Sequence, residues 1–327
     1  MRKFPLMMSG VVVAAALFSN TVWSQESAAA YPSKPVTFVN PSAAGGPSDI
    51  EARMYGEKLT ASLHQPIVME YRLGAAQTIG AAYVAKAKPD GYTLLVTTGT
   101  FSAFPALIKD LPFDTIRDFA HVSLMSQSPF VLVTYPSFPA KNLVEYLAYV
   151  KANPGKVSFG TFGTGSITHL SGAWIHTATD TKVTYVGYKD TITQMTDVMG
   201  NRLDAFLIGL VVALPQLKAG KIRALATTTT FRSKVVPDVA TVAEQGVPGY
   251  NASLWVGFVA PAATPAPIVN KLSAELSKVA RERDVIARIE ESGGMTVGST
   301  PVQFRQFVVT ETDRWRKLVQ DNGIKLD

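Results

Sequence analysis

Two short segments carry the residue types that could hold a ligand. One is Asn40-Pro41-Ser42-Ala43-Ala44-Gly45-Gly46-Pro47-Ser48-Asp49 and the other is Gly160-Thr161-Phe162-Gly163-Thr164-Gly165-Ser166-Ile167-Thr168-His169. Both are glycine-rich, and each follows an apolar run and precedes a helical one. Glycine lets the backbone turn tightly and approach a guest closely. A helix behind such a loop projects unbonded N–H groups and the positive end of its dipole. That arrangement suits a carboxylate as well as a phosphate. Taken alone, either loop reads as an ordinary tight turn ahead of a helix. The pair, in matching contexts, reads as two grips on one anion.

Other chemistry is sparse. Gly163-Thr164-Gly165 half-matches a dinucleotide fingerprint, but Thr168 stands where the third glycine belongs. No acidic residue ends a strand about twenty positions later. No Gly-x-Ser-x-Gly elbow, Walker loop or His-Glu-x-x-His occurs. The four histidines, His64, His121, His169 and His176, form no metal-spaced pair. His169 lies one turn into the helix behind the second loop, where it either braces that loop or touches the ligand. Asp204 either faces a cleft at a strand start or caps nearby turn amides. These patterns point to a binding protein rather than an enzyme, with no cofactor, metal or nucleic-acid partner. The competing reading, an exported hydrolase or lyase acting on carboxylates, lacks a visible nucleophile–base pair.

The 327 residues are 47% hydrophobic and 17% charged, enough for a sizeable globular core. There is no cysteine, so disulfides and thiolate metal sites are excluded. The formal charge of +6 favours anionic ligands or serves only solubility. The basic residues are scattered without a basic-aromatic stripe, which argues against nucleic acid. Residues 1–24 read as a signal peptide: Met1-Arg2-Lys3 is basic, Leu6 to Phe18 is mostly apolar and too short to span a bilayer, and Val22-Trp23-Ser24 suits a signal peptidase. Export to the periplasm is therefore expected.

The elements that must position the loops follow a repeated grammar. Strands are expected at 36–40, 66–71 and 92–97, with helices from Ser48 to about Leu63 and through about Ala87. Ile50, Met54 and Leu59 are expected on one face of the first helix. The pattern restarts with strands at 130–134, 157–160, 182–186, 204–208 and 223–227, and with helices at 142–152 and 167–177. A strand at 254–259 precedes two long helices, Lys271 to Ser292 and Pro301 to Asn322. Alternating strands and helices imply parallel sheets covered by helices.

The chain resembles the extracytoplasmic solute receptors of tripartite tricarboxylate transporters, often called the Bug family. The resemblance spans nearly all of the mature chain. It rests on Tyr31-Pro32-x-Lys34-Pro35, Gly45-Gly46-Pro47-Ser48-Asp49 with Arg53, Arg72-x-Gly74-Ala75, Ile79-Gly80-Ala81 and Pro89-Asp90-Gly91-Tyr92-Thr93-Leu94-Leu95. Further on it rests on Gly163-x-Gly165-Ser166-x-x-His169-Leu170, Lys221-Ile222-Arg223-Ala224-Leu225-Ala226, Pro237-Asp238-Val239-x-Thr241-x-x-Glu244-x-Gly246 and Ala260-Pro261-Ala262-x-Thr264-Pro265.

The resemblance implies an α/β fold: a two-lobed periplasmic-binding-protein (type II-like) clamshell, each lobe a mostly parallel sheet flanked by helices. The first lobe would comprise 25–130 plus 251–327 and the second 131–250. It implies a monomer that delivers a small carboxylate to membrane permease subunits; a ligand-presenting sensor would share fold and pocket. Ser42, Ala43, Gly45, Gly46 and Ser48 would line the first lobe, with Thr98 and Thr100 continuing the pocket. Gly163, Thr164, Gly165, Ser166 and His169 would supply the second lobe. Departures fall in the same places. Ser42 replaces a usual aromatic, Tyr71 a usual Asn, Gln77 a usual Gly and Phe162 a usual small residue, while Thr184 and Val186 replace Pro and Lys. Freed volume at Ser42 and an aromatic wall at Phe162 or Tyr71 would suit a larger ligand, such as the aromatic dicarboxylate terephthalate.

Overall fold

The computed structural model describes residues 30–321; the expected signal peptide lies outside the described residues. The first run is β1 (Val36–Asn40), α1 (Pro47–Leu63), β2 (Ile67–Tyr71), α2 (Thr78–Ala85), β3 (Thr93–Thr97) and α3 (Gly99–Leu107). A long strand, β4 (Phe119–Thr134), and α4 (Leu143–Ala152) lead to a second run. It comprises β5 (Ser158–Thr161), α5 (Ile167–Ala178), β6 (Thr184–Gly187), α6 (Thr191–Met199), β7 (Ala205–Gly209) and α7 (Leu210–Lys218). Then follow β8 (Arg223–Thr227), β9 (Ser253–Pro261), α8 (Ala266–Val279), α9 (Arg283–Glu291), β10 (Met295–Thr296) and α10 (Pro301–Asp321).

The two runs build equivalent halves. β2-β1-β3 are parallel neighbours in one lobe, and β6-β5-β7 are parallel neighbours in the other. Antiparallel strands β4 and β9 join them. β4 pairs with β9 from Phe119 to Pro129, then with β7 and β8 from Phe130 or Val131 onward. Pro129 therefore stands where one partner strand is exchanged for another, a place that tolerates a residue with no N–H to donate. The chain passes between lobes there and again where β9 starts. The result is the two-lobed α/β clamshell expected from the resemblance.

Each lobe is layered because its strands bury both faces. Phe38 packs with Tyr55, Leu59 and Leu272 on one side of the first sheet, while its neighbour Val39 packs with Ala81, Val84 and Phe304 on the other. In the second lobe Leu132 and Leu207 face Leu170 and Ile175, while Val131 and Phe206 face Val198 and Ala213. Among the described residues no helix is long and apolar enough to cross a membrane.

Several expectations needed correction. The buried stripe of α1 is Ala52, Tyr55, Leu59 and Leu63, spaced by three or four residues, and Ile50 is exposed. The helix expected from Lys271 to Ser292 is two helices, broken at Ala280–Glu282 where the chain at Gly298 lies against Ala280. α10 does not stay with the first lobe: Phe304 and Val308 pack there, but Trp315 and Leu318 join the second lobe's core.

α1 also touches β4 through polar atoms. The hydroxyl of Ser126 donates to Glu51 Oε2. Burial pushes the Glu51 carboxyl up to about 7, although the Ser126 hydrogen bond pulls it down. The folded chain therefore binds a proton there that the unfolded chain, with an ordinary carboxyl, has released, and stability falls as pH rises through that window. Glu51→Gln keeps an acceptor for Ser126 without the buried charge. It should stabilise the protein by on the order of 2 kcal/mol at pH 8 and by little near pH 4.5, read from urea unfolding at both values.

Candidate functional site

In open parallel sheets ligands sit beyond the carboxyl ends of the strands. Here those ends carry six helix N-termini: Pro47, Thr78 and Gly99 in the first lobe, and Ile167, Thr191 and Leu210 in the second. The lobes meet at their base. A Cβ placed on Gly99 would lie 3.7 Å from Ile167 Cγ1, from the Ser253 carbonyl oxygen and from Trp255 Nε1. The first residues of α3 and α5 thus converge on the crossing strand β9.

The first loop is organised by Asp49, which is almost wholly buried. Its carboxylate accepts from Gly45 N at 2.8 Å, Tyr71 Oη at 2.7 Å, Arg53 Nε at 3.0 Å and Asn40 Nδ2 at 3.3 Å. Burial pushes this carboxyl up, but the hydrogen bonds from Gly45, Tyr71 and Arg53 outweigh it and hold it below the usual range. Asn40 also accepts from Ser42 N at 2.9 Å, and Gly46 N donates to the Ala43 carbonyl at 3.3 Å. Gly45 has φ +81°, a left-handed conformation that glycine adopts without strain.

The second loop repeats this device with a different group. Gly165 N donates to His169 Nδ1 at 3.0 Å, the same four-residue step that joins Gly45 to Asp49. Because Nδ1 accepts, His169 is the neutral tautomer with its proton on Nε2. Burial holds its pKa below the ordinary imidazole value, and its ring stands edge-on to Tyr185 at 4.6 Å between centroids. Ser166 caps α5 by accepting from His169 N at 3.2 Å, while its hydroxyl donates to the Gly163 carbonyl at 2.8 Å. Phe162 N donates to Thr168 Oγ1 at 3.3 Å, and Gly163 N to Thr161 Oγ1 at 3.2 Å.

This bonding changes which atoms face a guest. The N–H groups of Ser42, Gly45, Gly46, Gly163, Gly165 and Ser166 are already used inside the loops. Among the described residues, the structure gives no protein acceptor to the N–H groups of Ala43, Ala44 and Ser48, or to those of Thr164, Ile167 and Thr168. The glycines shape the loops rather than donate from them. Asp204 is not in the cleft. It precedes β7, at the end remote from the loops, and its Oδ2 accepts from Ser158 N at 2.7 Å and Ser158 Oγ at 2.8 Å. Strand starts and strand ends lie on opposite edges of a parallel sheet, which is why this aspartate caps amides instead.

Two features were not foreseen. Thr98 Oγ1 donates to Gln77 Oε1 at 3.2 Å, and Gln77 Nε2 donates to Ser42 Oγ at 3.3 Å, so one side chain links the three connections of the first lobe. Thr100, at the second position of α3, is half-buried. Gln77 sits at φ +80° after Ala75 at +43° and Ala76 at +51°. Non-glycine residues in this region cost about 1–2 kcal/mol each. The second feature is an apolar margin on the second lobe. Phe162, Ile192, Val211 and Val212 are exposed at the first turns or loops after β5, β6 and β7, with Ile192 at 80%. The Tyr71 hydroxyl is committed to Asp49 and Arg53.

Comparison with known proteins places this architecture. The model of the tripartite tricarboxylate transporter family receptor matches residues 51–324. A protein of Agrobacterium vitis, described as the UPF0065 protein in the TAR-I ttuE-ttuC' intergenic region, is 38% identical over 92% of this chain and 88% of its own length. A solved R. palustris protein with adipate is 31% identical with a TM-score of 0.78, over 90% of this chain and 99% of that one. MatC from Rhodopseudomonas palustris with bound malate is 34% identical with a TM-score of 0.74, over 88% of this chain and all of that one. With its duplicated sheets, crossing strands and paired glycine-rich loops, the chain belongs to the tripartite tricarboxylate transporter receptor family.

Proposed function

We propose that the protein is a periplasmic receptor that closes its two lobes on a small carboxylate with an apolar body and delivers it to a membrane permease. The observation that carries this reading is the pair of opposed loops, each braced from behind and each leaving N–H groups at a helix start without a protein acceptor. Hydrogen bonds to a charged group contribute about 1.5–3 kcal/mol each, so a few suffice for micromolar affinity after ordering costs. Lys189, exposed between β6 and α6, adds a positive charge at the same end of the second lobe.

An exposed apolar margin bears on the body of the ligand. The first lobe presents Ser42, Gln77 and Thr98 beside the exposed Leu73 and Ile79; the second presents Phe162, Ile192, Val211 and Val212. A guest with a hydrocarbon or aromatic centre would cover that apolar margin on closure. Adipate, found with one relative, has such a centre, and terephthalate offers a flat one to Phe162. Binding without turnover is supported by the site: His169 Nδ1 is occupied by a main-chain amide and is not paired with a hydroxyl nucleophile.

Thermal-shift titration with terephthalate, adipate and malate, alongside small-angle scattering, tests the reading. Terephthalate or adipate at about 100 times its dissociation constant should stabilise the protein by about 2.7 kcal/mol, shrink the radius of gyration and be recovered unchanged. A response to malate alone would overturn the apolar-body assignment, and no response to any carboxylate would overturn the receptor. Gln77→Gly offers a second check. It removes the strained backbone but also the link between Ser42 and Thr98. Stability should hold or rise by up to about 1 kcal/mol in calorimetry. Affinity for the same ligand should fall about tenfold in titration calorimetry.

A further inference from the structure

The two loops use the same four-residue brace with opposite electrical character. Under the first loop the acceptor is the Asp49 carboxylate, secured by Arg53, Tyr71 and Asn40. Under the second it is the imidazole of His169, whose Nδ1 can accept only while unprotonated. Gly165 and Gly163 both sit at positive φ, +77° and +92°; the other loop bonds hold Phe162, Gly163 and Ser166, while the Gly165 N–H is held by His169. Thr164, Ile167 and Thr168, whose N–H groups lack a protein acceptor, lie within three residues of the braced glycine.

We propose that His169 is a positioning residue: its neutral ring holds the second loop in its ligand-receptive shape, and acidification frees the loop and releases the carboxylate. This rests on the receptor reading. A cavity of about 460 Å³ behind the loop, lined by Thr164, His169, His176, Lys182 and Tyr185 among others, gives protons a route to the ring. The titratable groups that share this space do not interfere. His176, on α5, is pushed down to about 3 by burial and stays neutral. The Tyr185 phenol of β6 is pushed up by burial and stays protonated. Lys182 lines the same cavity. Burial depresses His169, so its proton enters below the ordinary imidazole range and the effect belongs to acid medium. A cationic ring would also face the positive end of α5, which further opposes the braced arrangement. The carboxylate brace of the first lobe is held low and remains ionised over the same interval, so the sensitivity is confined to one lobe.

Titration calorimetry with terephthalate and with adipate, at about pH 7.5 and about pH 5, tests this on three forms of the full protein. Wild type should lose about tenfold in affinity between the two conditions. His169→Asn keeps a neutral acceptor near the Nδ1 position but cannot titrate; measured against its own affinity near neutrality, its binding should change far less on acidification than that of wild type. Ligand protonation affects both forms equally and cancels in the comparison. His169→Leu should bind weakly at both values, and Asn at the same position reports the role of the acceptor even if the Leu form folds poorly. An Asn form with the wild-type pH slope, or a wild type with no slope, overturns the proposal. Absence of binding to either probe by wild type near neutrality would instead sink the receptor reading, and the proposal with it.

Discussion

One contact organises each half of this protein: a glycine N–H reaching four residues forward to a side chain in the first turn of the following helix. A loop rich in glycine has many shapes available, and most would not aim N–H groups at a guest. The bond from Gly45 to Asp49 and that from Gly165 to His169 each select one shape. The N–H groups that remain are those closest to the helix starts, where the backbone dipoles add. The amides left open are therefore those next to the glycines, while the glycines supply the bend and the anchor.

The fold gives these two constructions equivalent settings. Each belongs to a parallel three-strand unit whose carboxyl ends point at the cleft, and β4 and β9 hold the two units at a fixed base. β4, β9 and α10 run between the lobes, so a movement of one lobe against the other would fall on the backbone near Pro129 and Ser253 and on the packing of α10, which enters both cores. The cores are tightly filled on both faces of each sheet. A movement at a helix start is therefore carried by a rigid lobe and not absorbed within it.

The lobes nevertheless differ in chemistry. The first stores strain in three successive left-handed residues, Ala75, Ala76 and Gln77, and uses the last to tie Ser42 to Thr98. Such backbone persists when surrounding contacts over-determine it, and it tends to occur where a site must be held ready. Among the described residues the loop of the second lobe puts only glycines at positive φ; it carries an uncharged brace and exposes apolar side chains around it. An anion meeting the first loop encounters Asp49 behind the amides, partly offset by Arg53. An anion meeting the second encounters no acidic residue in the first turn of α5.

What the sequence settled by itself was local. Hydrophobic runs, turn signals and glycine spacing located nearly every strand and the two loops, because these depend on neighbours along the chain. Helix periodicity was less informative. It placed Ile50 on the buried face of α1 and ran α8 and α9 together, because the packing partner, not the pattern, decides which stripe is covered and where a helix is cut off. The family pattern pointed to both loops, yet which N–H groups remain for a guest depended on hydrogen bonds visible only in three dimensions. Asp49 finds Tyr71 across 22 residues, and Gln77 finds Ser42 across 35. Those distances in sequence close only when β1, β2 and β3 lie side by side. The same sheet geometry sends Asp204 to the far edge, since a strand's first residue and its last can never share the ligand's side.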